Sequence, residues 1–236
     1  MLIYGIHACV AALKNKNRII KHIYATTNAV NNMKKYIDMS SFQVEKKDKN
    51  FLSEILPQGF VHQGVVVECE DAKDIFLNEV IKQGKAKSTI VILDQVTDPH
   101  NIGAILRSCA VFGGDGVVVQ EKNSPNMNGL IAKIACGGAE EVPLIKEVNL
   151  ARAIEKLKEN EYWVVGLDER GKVSLSDTGL NGGKVAIVLG AEGKGIRPLI
   201  LDKCDIIARI PMNAESIVTS CNVSVAASIA LFEFYK

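Results

Sequence analysis

No apolar run in the sequence reaches the ~18 residues that crossing a bilayer requires. Residues 1–13 carry Tyr4 and His7 where a secretory signal would have a basic stretch and a plain apolar core. Both absences predict a protein of the cytoplasm. The six cysteines (Cys9, Cys69, Cys109, Cys136, Cys204 and Cys221) include no CxxC pair. Disulfide frameworks belong to small secreted chains, and a zinc site needs closer spacing, so the thiols are expected to be free and buried in a reducing compartment. Internal repeats and low-complexity tracts are missing too. With 47% hydrophobic and 23% charged residues among 236, the composition is globular and excludes extensive disorder.

A net charge of +1 decides nothing about nucleic acid. Its distribution says more, because residues 11–50 hold nine basic side chains (Lys14, Lys16, Arg18, Lys21, Lys34, Lys35, Lys46, Lys47 and Lys49) against Asp38, Glu45 and Asp48. A surface of that kind attracts phosphates by Coulomb steering and counterion release. On charge alone an ordinary solvated face is the simpler reading. Composition shifts at Asp71–Lys87, which has one short helical pattern (Ile75, Phe76, Val80, Ile81) and then the polar run GKAKS. The chain therefore divides into a small first domain, 1–70, a linker, 71–87, and a larger domain, 88–236.

From Ser88 onward the pattern alternates. Strand-like runs at Thr89–Leu93, Gly116–Val119, Tyr162–Gly166, Lys184–Leu189 and Ile206–Ile210 are separated by helical patterns at Ile102–Phe112, Gly129–Cys136, Leu150–Glu159 and Pro198–Lys203, with a last one at Val223–Tyr235. Val/Ile runs with little alternation, separated by helices, predict an α/β fold with a parallel sheet covered on both faces. Ligands bind such sheets at the carboxyl ends of the strands, so the loops there are the places to look.

Three of these loops carry polar chemistry. The first is Asp94-Gln-Val-Thr-Asp-Pro-His-Asn-Ile-Gly-Ala-Ile-Leu-Arg107, where Asp98 or Asn101 can cap the next helix and Pro99 suits its first turn. Arg107 stands in an otherwise apolar helix and must snorkel outward or find an anion. The second, Gly190-Ala-Glu-Gly-Lys-Gly195, permits close backbone approach to a ligand, yet is neither a Walker A loop nor a dinucleotide fingerprint. The third runs from Ile210-Pro-Met to Ser220-Cys-Asn222 and leads into a helix apolar nearly all round, with Ser220 or Asn222 as its cap. A helix so short of polar residues is expected to be buried on several sides, including a subunit interface.

Taken together, LDQVTDPHNIGAILRSCA, IVLGAEGKGI and IPM…SCNVSVAASIALFE resemble the three ordered motifs of the SpoU (TrmH-like) RNA ribose 2′-O-methyltransferases of the SPOUT superfamily. Tyr4-Gly-Ile-His-Ala8, His62-Gln-Gly-Val65 and Ala135-Cys-Gly-Gly-Ala-Glu140…Val142-Pro143 resemble the subgroup that methylates a guanosine of 23S ribosomal RNA. The resemblance spans nearly the whole chain. It implies a C-terminal deep trefoil knot that binds S-adenosylmethionine, a small ribosomal-protein-like RNA-binding domain at 1–70, and a homodimer formed through helix 223–235. The knot overrides the general rule that chains do not thread loops. Carried over by position, the catalytic set is Asn101, Arg107, Glu192, Ser220 and Asn222. The donor-binding set is Leu189, Gly190, Gly195, Ile210, Met212, Ser220 and Cys221. No metal is implied.

The third motif departs from the family pattern. Pro211 to Asn222 is two residues longer than usual, Asn213-Ala214 stands where a glycine is common, and Cys221 replaces a leucine. A longer knot loop and an altered donor pocket are expected. In the implied reaction the donor brings its own activated methyl group, so the protein must align a ribose hydroxyl and manage its proton. A guanidinium stays charged, which makes Arg107 a better phosphate ligand and alkoxide stabiliser than a base. The rival readings are a transfer-RNA guanosine methyltransferase, a non-catalytic RNA-binding homologue, and a nucleotide-binding protein that uses Gly190–Gly195 as a phosphate cradle.

Overall fold

The apolar runs become strands and the periodic stretches become helices in the computed structural model, which describes residues 1–180, 182–213, 215–217 and 220–235. The first elements are β1 (Leu2–Tyr4), α1 (Ile6–Lys14), β2 (Ile20–Ala25), α2 (Thr27–Met33), β3 (Glu45–Lys46), α3 (Lys49–Glu54) and β4 (Val65–Cys69). Next come α4 (Leu77–Lys82), β5 (Ser88–Asp94), α5 (Pro99–Val111), β6 (Gly116–Gln120), α6 (Gly129–Ile134) and α7 (Gly138–Glu141). Then follow β7 (Leu144–Glu147), α8 (Leu150–Glu159), β8 (Trp163–Leu167), β9 (Val173–Ser174), β10 (Lys184–Gly190), α9 (Pro198–Leu201), β11 (Ile206–Arg209) and α10 (Val223–Tyr235). Among the described residues no helix is long and apolar enough to cross a membrane.

Residue contacts divide the chain into two units. The first holds Met1–Lys73 together with Asn126–Glu141, and the second holds Asp74–Pro125 and the chain from Val142 onward. Composition gave no warning that 126–141 packs with the first unit. Charge and packing explain it. Arg18 donates to Glu140 through Nε (3.1 Å to Oε2) and Nη2 (2.6 Å to Oε1), and Asn15 Nδ2 donates to Oε2 at 2.7 Å. The Arg18 and Glu140 side chains are only 4% and 6% exposed, so each depends on the other for its lost hydration. Ala132 of α6 joins the core formed by β1, β2, β4, α1 and α2. One of the nine basic residues is thus a buried structural cation, not part of a charged surface.

The four strands of the first unit lie in the order β1-β4-β2-β3. His62, just before β4, is fixed by two bonds: the Gly64 N–H donates to Nδ1 at 3.0 Å, and Nε2 faces Ser53 Oγ at 3.3 Å. Burial first, then Lys49 and Lys133, hold its pKa below the ordinary histidine value. The neutral ring is therefore favoured by folding, and the stability it contributes is complete above the unfolded value of about 6.5 and lost as pH falls towards the folded value. Acidification from pH 8 to pH 5 is expected to lower the melting temperature of the native protein more than that of His62→Asn. Equal slopes would remove His62 from the account.

The second unit is built on a seven-stranded, all-parallel sheet in the order β7-β6-β5-β10-β8-β11-β9. One face carries Ile90, Ile92, Val118, Val164, Ala186 and Val188 against α4, α8 and α9. The opposite face receives α5 and α10, which also pack on each other. Helix α8 shows why: Leu150, Ala153, Ile154 and Leu157 fall on one side and are buried, and Asn149 caps the first turn by accepting from Arg152 N–H. The expected stripe in the linker shifts. Helix α4 begins at Leu77 and buries Leu77 and Val80, whereas Ile75 and Phe76 stay exposed. Strands β7 and β9 were not expected, since each is too short to leave a pattern. The thiols also divide: Cys9, Cys69 and Cys109 are buried, Cys204 is partly so, and Cys136 and Cys221 are exposed. Burial pushes the Cys109 thiol up to about 12.

Candidate active site

Three loops at the carboxyl edge of the parallel sheet, those after β8, β10 and β11, line a cavity of about 710 Å³, within the range of small-molecule sites, and the loop after β5 meets two of its lining residues through Asn101. Two of these four loops are held by caps that the sequence left ambiguous. On α5 the cap is Asp98, which accepts from His100 N–H at 2.9 Å, and this leaves the Asn101 side chain free in the first turn. On α10 the cap is Asn222, whose Oδ1 accepts from Ser224 N–H at 2.9 Å and Ser224 Oγ at 2.6 Å. Because the backbone N–H can only donate, the Asn222 oxygen must face the helix and its NH2 must face away.

That NH2 joins the three motifs. Asn222 Nδ2 donates to Glu192 Oε1 at 2.6 Å and to Asn101 Oδ1 at 3.1 Å. Asn101 Nδ2 lies 3.4 Å from the same Glu192 oxygen. Residues separated by up to 121 positions thus form one polar cluster at the tips of β5, β10 and the segment after β11.

The second loop folds back on itself. Gly195 N–H donates to Ala191 O at 2.9 Å, and a Cβ on Gly190 would meet Gly195 C at 2.0 Å, so only glycine fits there. The turn is tied to the sheet by a bond that sequence reading missed. Arg197 donates to Asp94 through its backbone N–H (2.9 Å to Oδ2) and Nε (2.8 Å to Oδ1), and donates to Gln120 Oε1 through Nη2 (3.2 Å). Asp94 is fully buried and lies opposite Gly190 in the β5–β10 ladder. A charged residue directly after the apolar run Ile90–Leu93 was the available signal.

The fourth loop, Leu167–Arg170 after β8, was also missed, although the strand-tip rule pointed to it. Its Asp168 accepts from Arg170 N–H (2.9 Å), Nε (2.7 Å) and Nη2 (2.8 Å). The Arg170 guanidinium, above all, holds this carboxyl below its ordinary value, so it is a fixed negative charge at the cavity wall.

Of the expected donor-binding residues, Leu189, Gly190 and Gly195 line the cavity on the β10 side. Ile210, Met212, Ser220 and Cys221 line it on the side after β11. Glu192 and Asn222 also line it, and Asn101 reaches it through them. Arg107 does not line it. It lies exposed on α5 almost two turns beyond Asn101, with no ion pair among the described residues. The expected lengthening of the third loop falls partly on Ala214, Val218 and Thr219, which lie outside the described residues. Among those described, no group of three His, Cys, Asp or Glu is placed to hold a metal ion.

The profile of the SpoU rRNA Methylase family matches residues 88–232, and a profile described as RNA 2'-O ribose methyltransferase substrate binding matches residues 2–74. The chain is 36% identical over 241 residues to the 23S rRNA (guanosine-2'-O-)-methyltransferase RlmB of Pseudomonas aeruginosa, covering 99% of this chain and 95% of the relative. It is 36% identical over 247 residues to the protein of the same name from Escherichia coli K12, covering 98% and 96%. The crystal structure of the SpoU methyltransferase AviRb from Streptomyces viridochromogenes in complex with AdoMet superposes with a TM-score of 0.80 at 19% identity, over 100% of this chain and 89% of that one. At that identity the likeness is one of fold.

Proposed function

The chain belongs to the SpoU rRNA methylase family, and from that premise we propose that it transfers a methyl group from S-adenosylmethionine to the ribose 2′-hydroxyl of a guanosine in 23S ribosomal RNA. The observation that carries the reading is the Asn101–Glu192–Asn222 cluster, which joins three separate loops at the edge of one cavity that Glu192 and Asn222 line. The cavity suits the donor: Asp168, Glu169 and Glu192 against Arg170 and Lys194 leave its lining one negative charge in excess where a sulfonium and an ammonium must be received, and glycine at 190 lets the turn that forms one wall fold tightly on itself. When bound, the donor supplies the activated methyl group.

The chain's own residues supply the rest. Leu189, Ile210 and Met212 present apolar surface, and Ser220 and Cys221 line the remaining wall. Asn101 and Asn222 hold Glu192 in one orientation, which fixes the polar rim against which the ribose is positioned. The cation that binds the neighbouring phosphate and stabilises the developing alkoxide is Arg107. Since Arg107 stands outside its own cavity, a second copy has to bring it. Helix α10 supports a homodimer: Val223, Ala227, Leu231 and Phe234 are buried, while Val225 and Phe232, both 48% exposed, and Val111 of α5, 65% exposed and one turn after Arg107, leave apolar surface on these two helices.

A deep trefoil knot belongs to the same proposal. It is supported by the path of the chain, which leaves β11, two strands from β10, and returns to seat Asn222 beside Asn101 and Glu192. The first unit is the RNA-binding module, and a cytoplasmic site of action accords with six free thiols. The test is incubation with methyl-labelled S-adenosylmethionine and separate 23S, 16S and transfer RNA transcripts. Label is expected in 23S RNA alone and in alkali-resistant dinucleotides, because a methylated 2′-oxygen cannot attack the adjacent phosphate. Label confined to transfer RNA, released by alkali, or absent would each refute the assignment.

A further inference from the structure

Two short motifs of the first unit, Tyr4–Ala8 and His62–Val65, play no part in the methyl-transfer site, yet they meet. Gln63 Oε1 accepts from Ile6 N–H at 2.9 Å and so caps α1. Beside this bond lies a pocket of about 130 Å³ lined by Ile6, His7, Asn32, Lys35, Tyr36 and Gln63. We propose that this pocket receives a single unstacked nucleobase of the RNA substrate. The proposal rests on the RNA-methyltransferase reading and adds to it a place where the RNA is held.

The turn that presents Gln63 is over-determined. Gln63 itself sits in the left-handed region at φ 55, an uncommon and costly state for a non-glycine residue. His62 holds it on one side through Gly64 N–H and Ser53. Gly64 holds it on the other: its φ is +83, and a Cβ there would meet Thr26 Oγ1 at 2.6 Å. Strain kept in place by so many neighbours marks a side chain whose position matters.

The chemistry around it fits a base and little else. His7 and Tyr36 meet edge to face at 5.2 Å and 66°, and Tyr36 is 47% exposed, so neither ring is spent on the core. Unstacked bases are recognised by stacking on such rings and by hydrogen bonds to their edges. With its oxygen committed to Ile6, Gln63 keeps its NH2 without a partner among the described residues, and among them the Asn32 side-chain amide also has no hydrogen bond. Together they offer donors and an acceptor for a base edge. Lys35 supplies a cation for the attached phosphate, and none of the lining residues is acidic. The volume is well below the several hundred Å³ usual for free cofactors. It suits one ring system inserted from a polymer.

The test compares full-length native protein, His7→Ala, Tyr36→Ala, Tyr36→Phe and Lys35→Ala for binding to a 23S RNA transcript at several salt concentrations. Tyr36→Ala and His7→Ala are expected to bind roughly tenfold more weakly, with salt slopes equal to the native one. Tyr36→Phe keeps its ring and is expected to bind within about twofold of native. Lys35→Ala is expected to lower the salt slope by about one. At saturating RNA the kcat of Tyr36→Ala stays native and only its KM rises. Native affinity in both Tyr36→Ala and His7→Ala, or equal weakening in Tyr36→Phe and Tyr36→Ala, overturns the pocket while native binding and methylation leave the enzyme assignment standing. Failure of the native protein to bind the transcript removes both.

Discussion

Replacing Arg107 by Ala is expected to lower methyl transfer by about 10²–10³-fold or more, with donor affinity held within about twofold because the role proposed for its charge is towards the RNA phosphate and the ribose oxygen, not the donor. The ribose hydroxyl is a poor nucleophile, and one fixed positive charge near its oxygen is worth most as negative charge develops there. No other role for Arg107 is visible: it has no ion pair among the described residues, and it lies exposed on a helix whose buried residues are apolar. Labelled-methyl incorporation measured beside calorimetric donor binding checks this, and near-normal turnover would exclude Arg107 from the chemistry. Mixing decides where the charge comes from. Arg107→Ala combined with Gly190→Ala, whose added Cβ would meet the Gly195 backbone at 2.0 Å and force the 190–195 turn out of place, pairs two inactive chains. If each site draws on two copies, each mixed dimer has one working site of two, and an equimolar mixture regains about a quarter of native activity. If each chain serves itself, mixing restores nothing.

The second large effect concerns stability. Arg197→Ala leaves the fully buried Asp94 carboxylate with only the backbone N–H of residue 197. Breaking a buried pair from one side costs about 3–5 kcal/mol. The guanidinium is 37% exposed, which places the expected loss near the lower end, about 3 kcal/mol. For a protein of this length that is a fall of roughly 6–12 °C in melting temperature. Donor affinity is expected to fall too, because Arg197 ties the Gly190–Gly195 turn to the end of β5. A double replacement, Asp94→Leu with Arg197→Met, removes both charges and is expected to recover most of the stability without recovering donor affinity. An Arg197→Ala protein that melts with the native one would show that the pair is not holding the turn.

Much of the second unit was legible because parallel strands buried on both faces must be apolar at nearly every position. Helices α8 and α10 begin and end where their patterns do. The short strands β7 and β9 escaped for the opposite reason, since two to four residues cannot show a period. In the site, Asn101, Glu192 and Asn222 were marked by the motifs that hold them. Asp94 and Asp168 were passed over: each stands directly at a strand tip, but its partner lies at a distance or orientation that order in the chain does not reveal. Arg107 was marked by its motif as well, yet a motif fixes a residue's place on a helix and not the cavity it serves.

Sequence by itself determined the parallel α/β layer, the family, and the three loops in which chemistry had to be sought, because hydrophobic period and motif order are local properties of the chain. Only the tertiary structure decided which caps were used, that 126–141 packs with the first unit, that Arg197 pins the glycine turn to Asp94, and that Gln63 reaches the start of α1. Those outcomes depend on burial and hydrogen-bond geometry between residues dozens of positions apart, where the energy of a contact is set by what surrounds it and not by what precedes it.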